Sequence, residues 1–246
     1  MRFIHKVETR STNIDAHDLA RTGDLGPLWI GADVQSAGTG RRGREWVSKT
    51  GNLYASGLFP AASEVSKTAQ LSFVAALAVF DTIKTYAPNA IARLKWPNDV
   101  LVDGSKISGI LLETGKVKAQ PYVIVGIGIN LTHHPKLAAY SATHLLEHID
   151  PQNLSSAEPI FTGTEAVLAI LSASFEKWRL LHQAQGFDPI VKAWMQNAHG
   201  LGNKAYIDGV PAILRGLGEN GELRVEYENG TIKDIVAADI SFVSPK

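Results

Sequence analysis

The chain has 246 residues, 45% of them hydrophobic, and 24 basic side chains balance 24 acidic ones. That length supports one sizeable core plus a small satellite domain, and the charge balance gives no general attraction to nucleic acid or to an anionic membrane. The absence of cysteine excludes disulfides, thiolate nucleophiles and thiolate metal sites. No apolar run approaches the about eighteen residues of a membrane span, and the first residues lack the apolar core of a signal peptide, so a cytoplasmic location is expected.

Ser11-Thr12-Asn13 followed by Ile14, Ala16, Leu19 and Ala20 predicts a capped helix that stops at Gly23. Leu28–Val34 and Asn52–Phe59 have the apolar content of strands, and a helix from about Ser63 carries Leu71, Val74, Ala75, Ala78, Val79 and Ile83 on one face until Pro88 closes it. Val100–Val102, an Asp103-Gly104 turn, Lys106–Glu113, a turn containing Gly115, and Tyr122–Leu131 form an antiparallel meander, so the sheet is mixed or antiparallel. Two further helices are expected at about Thr164–Gln183 and Pro189–Asn197, with Val167, Leu168, Leu171, Phe175 and Trp178 facing the core. Beyond Gly200 the composition changes to short alternating runs punctuated by Asp208-Gly209, Glu219-Asn220-Gly221 and Asn229-Gly230. This predicts a small β-barrel-like domain over 199–246, packed on a main domain over 1–198.

Three clusters carry chemistry. The loop Gln35 to Trp46 packs three glycines and three arginines between Gly38 and Arg44. Glycine lets backbone N–H groups approach an anion, and arginine grips its oxygens with a planar, permanently charged fork. Lys95-Trp96-Pro97-Asn98-Asp99 is the second cluster, and the following hairpin returns Lys106 towards Asn98 and Asp99, so a lysine, an amide and a carboxylate converge at one mouth of the sheet. The third, Gly126-Ile127-Gly128-Ile129-Asn130, reads either as a strand bulge or as a place where ligand or backbone comes close. Its Gly-x-Gly spacing is too short for a dinucleotide fingerprint.

This ordered set resembles the biotin protein ligases, specifically the bacterial catalytic core, from about Ser11 to the C-terminal domain. The resemblance implies an α+β fold: a mixed, class II synthetase-like sheet with helices and an SH3-like C-terminal barrel. It also implies that biotin attacks the α-phosphate of ATP with Mg²⁺ present, and that the biotinyl-adenylate is passed to a lysine of a biotin carboxyl carrier protein. By the same resemblance Ser11, Thr12, Asn13 and Gln35, with Gly38, Thr39 and Gly40, hold biotin. Arg41 and Lys106 serve the carboxylate and α-phosphate and are the catalytic candidates. Trp46 stacks on adenine, Asn98 and Asn130 read its edge, and Arg44 and Asp99 complete the adenylate site; no metal ligand is assigned. Asp99 is expected to orient an arginine of the loop.

From the residues alone, Ser11 and Thr12 also suit helix capping, and Trp46 suits the core. Thr39 stands where many bacterial members carry arginine, and Ser11 lies too near Met1 for a helix-turn-helix domain, so no operator binding is expected. A lipoate ligase or lipoyl/octanoyl transferase is the alternative within the superfamily. A nucleic-acid-binding module using Arg41, Arg42 and Arg44 on phosphates is the alternative of another class. Both a monomer and a homodimer are compatible with the sequence.

Overall fold

The structure, a computed structural model, describes residues 1–61, 64–136, 140–150 and 164–242. Its main sheet has seven strands: β1 (Arg2–Thr9), β2 (Leu28–Gln35), β3 (Leu53–Pro60), β4 (Ala92–Lys95), β5 (Asp99–Val102), β6 (Ser105–Val117) and β7 (Gln120–Ile129). They lie in the order β1-β2-β3-β7-β6-β5-β4. The β1–β2 pair is parallel and every other ladder is antiparallel, which makes the expected sheet mixed.

Period-two alternation divides the apolar side chains between the two faces. Trp29, Leu53, Phe59, Val123, Val125 and Ile127 point to one face, where α3 (Leu71–Tyr86), α4 (Glu165–Gln185) and α5 (Asp188–Gln196) cover them. Leu28, Ile30, Leu58, Tyr122 and Ile124 point to the other, against Ala16 and Ala20 of α1 (Thr12–Arg21). Trp29, Phe59 and Phe175 form the aromatic centre of the larger core, with ring centroids 5.1–5.9 Å apart.

The second sheet, β8 (Lys204–Ile207), β9 (Val210–Leu217), β10 (Leu223–Tyr227), β11 (Ile232–Ile235) and β12 (Ile240–Ser241), is antiparallel in the order β11-β10-β9-β8-β12. Its Ala205, Leu214, Leu223 and Val225 join the core beneath α3 and α5.

The sequence reading differs from the structure in three places. β1 has no alternation to betray it, because it is an edge strand exposed along most of its length. The helix expected from about Ser63 is two helices, α2 (Val65–Ala69) and α3, meeting at Gln70; its expected start lies outside the described residues. Gly115 is not in a turn. It pairs with Tyr122 across the β6–β7 ladder, and the tyrosine ring occupies the space its side chain would take. The turn is Lys118-Ala119, both with positive φ in a two-residue hairpin that carries no glycine signal. No helix among the described residues is long and apolar enough to cross a membrane.

Two predictions follow from this packing. Phe175 is fully buried, so Phe175→Ala leaves a cavity and lowers the unfolding free energy by about 3–5 kcal/mol in denaturant titration. Burial holds His182 below the ordinary histidine value of 6.5, with the Lys67 charge adding to the effect, while its Nε2 lies 2.8 Å from Gln70 Oε1. The unfolded chain therefore binds the proton more readily. The associated stability is present above 6.5 and is lost as pH falls below it. His182→Gln should flatten the fall in melting temperature between about pH 7 and pH 5, and an equally steep fall would contradict the assignment.

Candidate functional site

A cleft of about 530 Å³ opens on the α1 face of the sheet, where β2, β3, β7, β6 and β5 run past one another. That size suits a small ligand. One end is built from Ser11, Thr12, Asn13 and Gln35. Thr12 donates to Gln35 Oε1 from its backbone N at 2.9 Å and from its hydroxyl at 3.1 Å, and Gln35 Nε2 donates to Ser48 Oγ at 3.0 Å. Ser56 Oγ reaches both Thr12 Oγ1 and Asn13 Oδ1, and Asn13 Nδ2 donates to Glu113 Oε2 at 2.6 Å. Ser11 occupies the N-cap position of α1 without making a side-chain capping bond, so its buried hydroxyl is left facing the cleft.

The glycines of β7 make this end wide enough. Gly126 and Gly128 sit in an unbroken ladder with β3 and β6, so the bulge reading does not hold. A Cβ at Gly126 would overlap the Asn13 amide, and one at Gly128 would overlap the Trp46 indole. Gly109 pairs with Gly128 across β6 and β7, and Trp46 lies over both. The buried Trp46 Nε1 has no hydrogen-bond partner among the described residues, which leaves a donor at the floor of the site.

The other end is cationic. The loop folds on itself through Gly40 N to Arg44 O at 2.7 Å and Trp46 N to Gly38 O at 2.9 Å, with a 3-10 turn at Arg41–Gly43. Gly38 lies behind the cleft wall, where a side chain would strike Ser48 and the Trp46 carbonyl. Adjacent residues hold the two principal cations: Arg41 Nη1 donates to Asn98 Oδ1 at 3.4 Å, and Lys106 Nζ pairs with Asp99 Oδ1 at 2.6 Å. Asp99 thus anchors the lysine rather than a loop arginine.

A β-bulge aims that lysine. Leu101 pairs with Lys106 but Val100 pairs with Ser108, so β6 carries one extra residue. Ile107 and Ile110, three apart, consequently both enter the large core, while Lys106 turns to the cleft face beside Gly109.

Burial lowers the pKa of Arg41, and the neighbouring Arg42 charge lowers it further. Lys95 is also held below the ordinary lysine range, first by burial; Asp99 opposes the shift and Lys106 adds to it.

Of the residues singled out from the sequence, Ser11, Thr12, Asn13, Gln35, Thr39, Gly40, Arg41, Arg44, Trp46, Asn98, Asp99 and Lys106 share the cleft. Asn130 is placed one layer behind it. Its Nδ2 donates to Thr143 O at 3.0 Å, in a small adjoining cavity lined also by Trp46, Lys106 and Tyr140. Trp96 serves structure, its Nε1 donating to Gly221 O in the second sheet at 2.9 Å.

Sequence reasoning missed Tyr140, whose ring lies 5.3 Å from Lys106 Nζ, and Asp239, which pairs with Arg42 at 2.6 Å and Arg44 at 3.6 Å. Neither sits in a recognisable motif, and Asp239 meets its arginine across 197 positions. Lys95, by contrast, lay inside a quoted motif with only its charge as a signal.

Comparison with known proteins places this cleft in context. Residues 9–130 match the profile of the Biotin/lipoate A/B protein ligase family. The chain is 36% identical over 242 residues to a biotin–[acetyl-CoA-carboxylase] ligase of Paracoccus denitrificans, covering 96% of this chain and 98% of that one. It is 33% identical to the bifunctional ligase/repressor BirA of Bacillus subtilis, over 94% of this chain and 70% of the relative. A mutant biotin protein ligase from Aquifex aeolicus, solved with biotin, superposes with a TM-score of 0.78 at 26% identity, covering 100% and 99% of the two chains. The Aquifex aeolicus enzyme solved with biotin and ATP gives 0.73 at 27% identity, covering 98% and 97%.

The glycine platform is open to direct test. Gly128→Ala should displace the indole. The Trp46 contribution to fluorescence, taken as the difference from the same protein carrying Trp46→Phe, would then shift to the red with little change in melting temperature. Unchanged Trp46 emission would mean that the ring does not rest on the strand.

Proposed function

The chain belongs to the biotin protein ligase family, and we propose that it condenses biotin with ATP and then passes the biotinyl group to a lysine of a biotin carboxyl carrier domain. The observation that carries this reading is the division of one cleft into a neutral hydrogen-bonding end and a cationic end, built from segments far apart in sequence. Ser11, Thr12, Asn13 and Gln35 offer the donors and acceptors that a ureido ring needs, and Arg41 and Lys106 stand where a carboxylate and a phosphate are to be brought together.

In the first step a biotin carboxylate oxygen attacks the α-phosphorus of ATP, the new O–P bond forms and pyrophosphate leaves. In the second the carrier lysine amine attacks the acyl carbon, AMP leaves, and an amide forms with loss of one amine proton. Neither step needs an enzyme nucleophile, consistent with a cysteine-free chain. Catalysis then rests on positioning and on cations that offset repulsion between the two anions. Trp46, Asn98 and Arg44 are the adenylate contacts in this reading, with Gly38, Thr39 and Gly40 shaping the loop over biotin. Asn130 acts from behind by holding Thr143 and the segment beside Lys106. Mg²⁺, when bound, would screen the charge of the departing pyrophosphate, and Glu45, Asp99 and Asp239 are the carboxylates lining the cleft that could approach it.

The test is transfer of labelled biotin to a purified carrier domain with ATP and Mg²⁺. One carrier lysine should be labelled, unaffected by excess lipoate. Removal of a charge-stabilising group costs about 10²–10³-fold, so Arg41→Ala and Lys106→Ala should slow biotin-dependent pyrophosphate exchange by that order. Lipoate taken up in preference would make the protein the lipoate-specific member of the superfamily. No labelling by folded protein would overturn the reading.

A further inference from the structure

Four of the chain's eight histidines fall between His133 and His148, outside the cleft, and two of them meet the same carboxylate, that of Glu147. His134 follows the end of β7, and His144 immediately precedes a 3-10 turn over Leu145–His148. Their Nδ1 atoms lie 2.9 Å apart. Glu147 brings Oε1 to 3.6 Å from His144 Nδ1 and Oε2 to 3.9 Å from His134 Nδ1. One potential ligand atom from each residue fits within a 4.8 Å cluster.

The local helix type creates this grouping. A 3-10 helix has three residues per turn, so positions i and i+3 eclipse, which sets His144 and Glu147 on one side. The spelling His144-Leu145-Leu146-Glu147-His148 would bring its two histidines together on an α-helix. Here His148 instead turns away, its Nδ1 3.0 Å from Asp103 Oδ2 and its Nε2 2.7 Å from Thr143 Oγ1. The second imidazole of the cluster comes from His134, ten residues before His144.

We propose that His134, His144 and Glu147 form a site for a divalent transition-metal ion of the zinc class. Two imidazoles and a carboxylate are a borderline donor set suited to such ions. Bonds of 2.0–2.1 Å at a tetrahedral centre separate ligand atoms by about 3.3 Å; the three donor atoms lie within 4.8 Å of one another, so Glu147 turns one oxygen in towards the two imidazoles when the ion binds. The ion takes the place of the direct contact between the two facing Nδ1 atoms. Thr143 Oγ1 donates to Glu147 Oε2 at 2.6 Å, which orients the carboxylate as an outer partner does in a metal site. Three protein ligands leave a fourth position for water.

The ion ties the end of β7 to the segment that backs Lys106. Ser141 O accepts from Lys106 N, and Thr143 N donates to Lys106 O, both at 2.9 Å. None of its three ligands lines the cleft, so the role assigned to the ion is to hold this segment behind Lys106.

The test uses the full chain stripped with chelator and titrated with Co²⁺, then Zn²⁺. One equivalent of Co²⁺ should give the visible bands of a four-coordinate ion, and Zn²⁺ should displace it. Loss of even an outer partner costs about 10–100-fold in metal affinity, so His134→Gln, His144→Gln and Glu147→Gln should each weaken binding by about a hundredfold or more. Exposed His5→Gln should leave it unchanged, and metal-free melting curves show whether each variant is folded. Wild-type protein that takes up no stoichiometric metal at micromolar concentration overturns the site. So does binding that survives His134→Gln but not His148→Gln.

Discussion

Mutual repulsion among cations is the constraint around which this molecule is arranged. Arg41, Arg44, Lys95 and Lys106 line one cleft, and the depressed pKa values of Arg41 and Lys95 register both burial and the charge of their neighbours. Such crowding is unfavourable unless counter-charges are fixed nearby or an anion arrives. Asp99 on β5 holds Lys106, and Asp239, immediately before β12, holds Arg42 and Arg44, while among the described residues the Arg41 guanidinium makes no ion pair and hydrogen-bonds the neutral oxygen of Asn98 at 3.4 Å. The arginine with the weakest internal compensation is thus the one half-buried in the cleft. That is the position from which a guanidinium gains most by meeting a ligand's negative charge.

Preorganisation of this kind needs a sheet shaped to its side chains. The bulge in β6 turns Lys106 to the cleft face while Ile107 stays in the core. Gly109 and Gly128, paired in register, provide a floor on which Trp46 rests, and Gly126 leaves room for Asn13. Each glycine lacks a side chain because another residue's side chain already fills that space. The same reason explains Gly115 under Tyr122, where the consequence is packing alone.

That distinction marks what was legible in the sequence. Apolar alternation and helical periodicity revealed β2, β3, β7, α1, α4 and α5, since each buries one face or both in a core. Asp103-Gly104 and Asp208-Gly209 revealed hairpins because positive φ at successive positions selects those residue types. The cleft was readable because its chemistry sits in three dense clusters whose order resembles a known family. β1 was not, as an exposed edge strand has no burial pattern to leave. The Lys118-Ala119 turn was not, because neither residue type favours the conformation it adopts. Asp99's choice of Lys106 over an arginine depended on the bulge, a one-residue register change that no spacing rule reports. Glycines whose role is to make way are ambiguous by nature: Gly115 reads as a turn, Gly126–Gly128 reads equally as a bulge or as a place of close approach, and the rings and amides lying across them decide for close approach.

The second sheet belongs to the same argument. It is too small to bury much surface alone, and it spends its apolar side chains against α3 and α5. Trp96, inside the motif that supplies Asn98 and Asp99, donates to Gly221, and a Cβ at Gly221 would press into Phe73 of α3. Phe242 packs edge-on against His199 at 4.7 Å, at the junction between the sheets. The strand pair that holds the anchoring Asn98 and Asp99 is therefore braced from behind by the sheet whose Asp239 restrains the arginine loop in front. Loosening that sheet would disturb both cation holders at once, so the geometry of the cleft is a property of the two sheets together and not of the larger one alone.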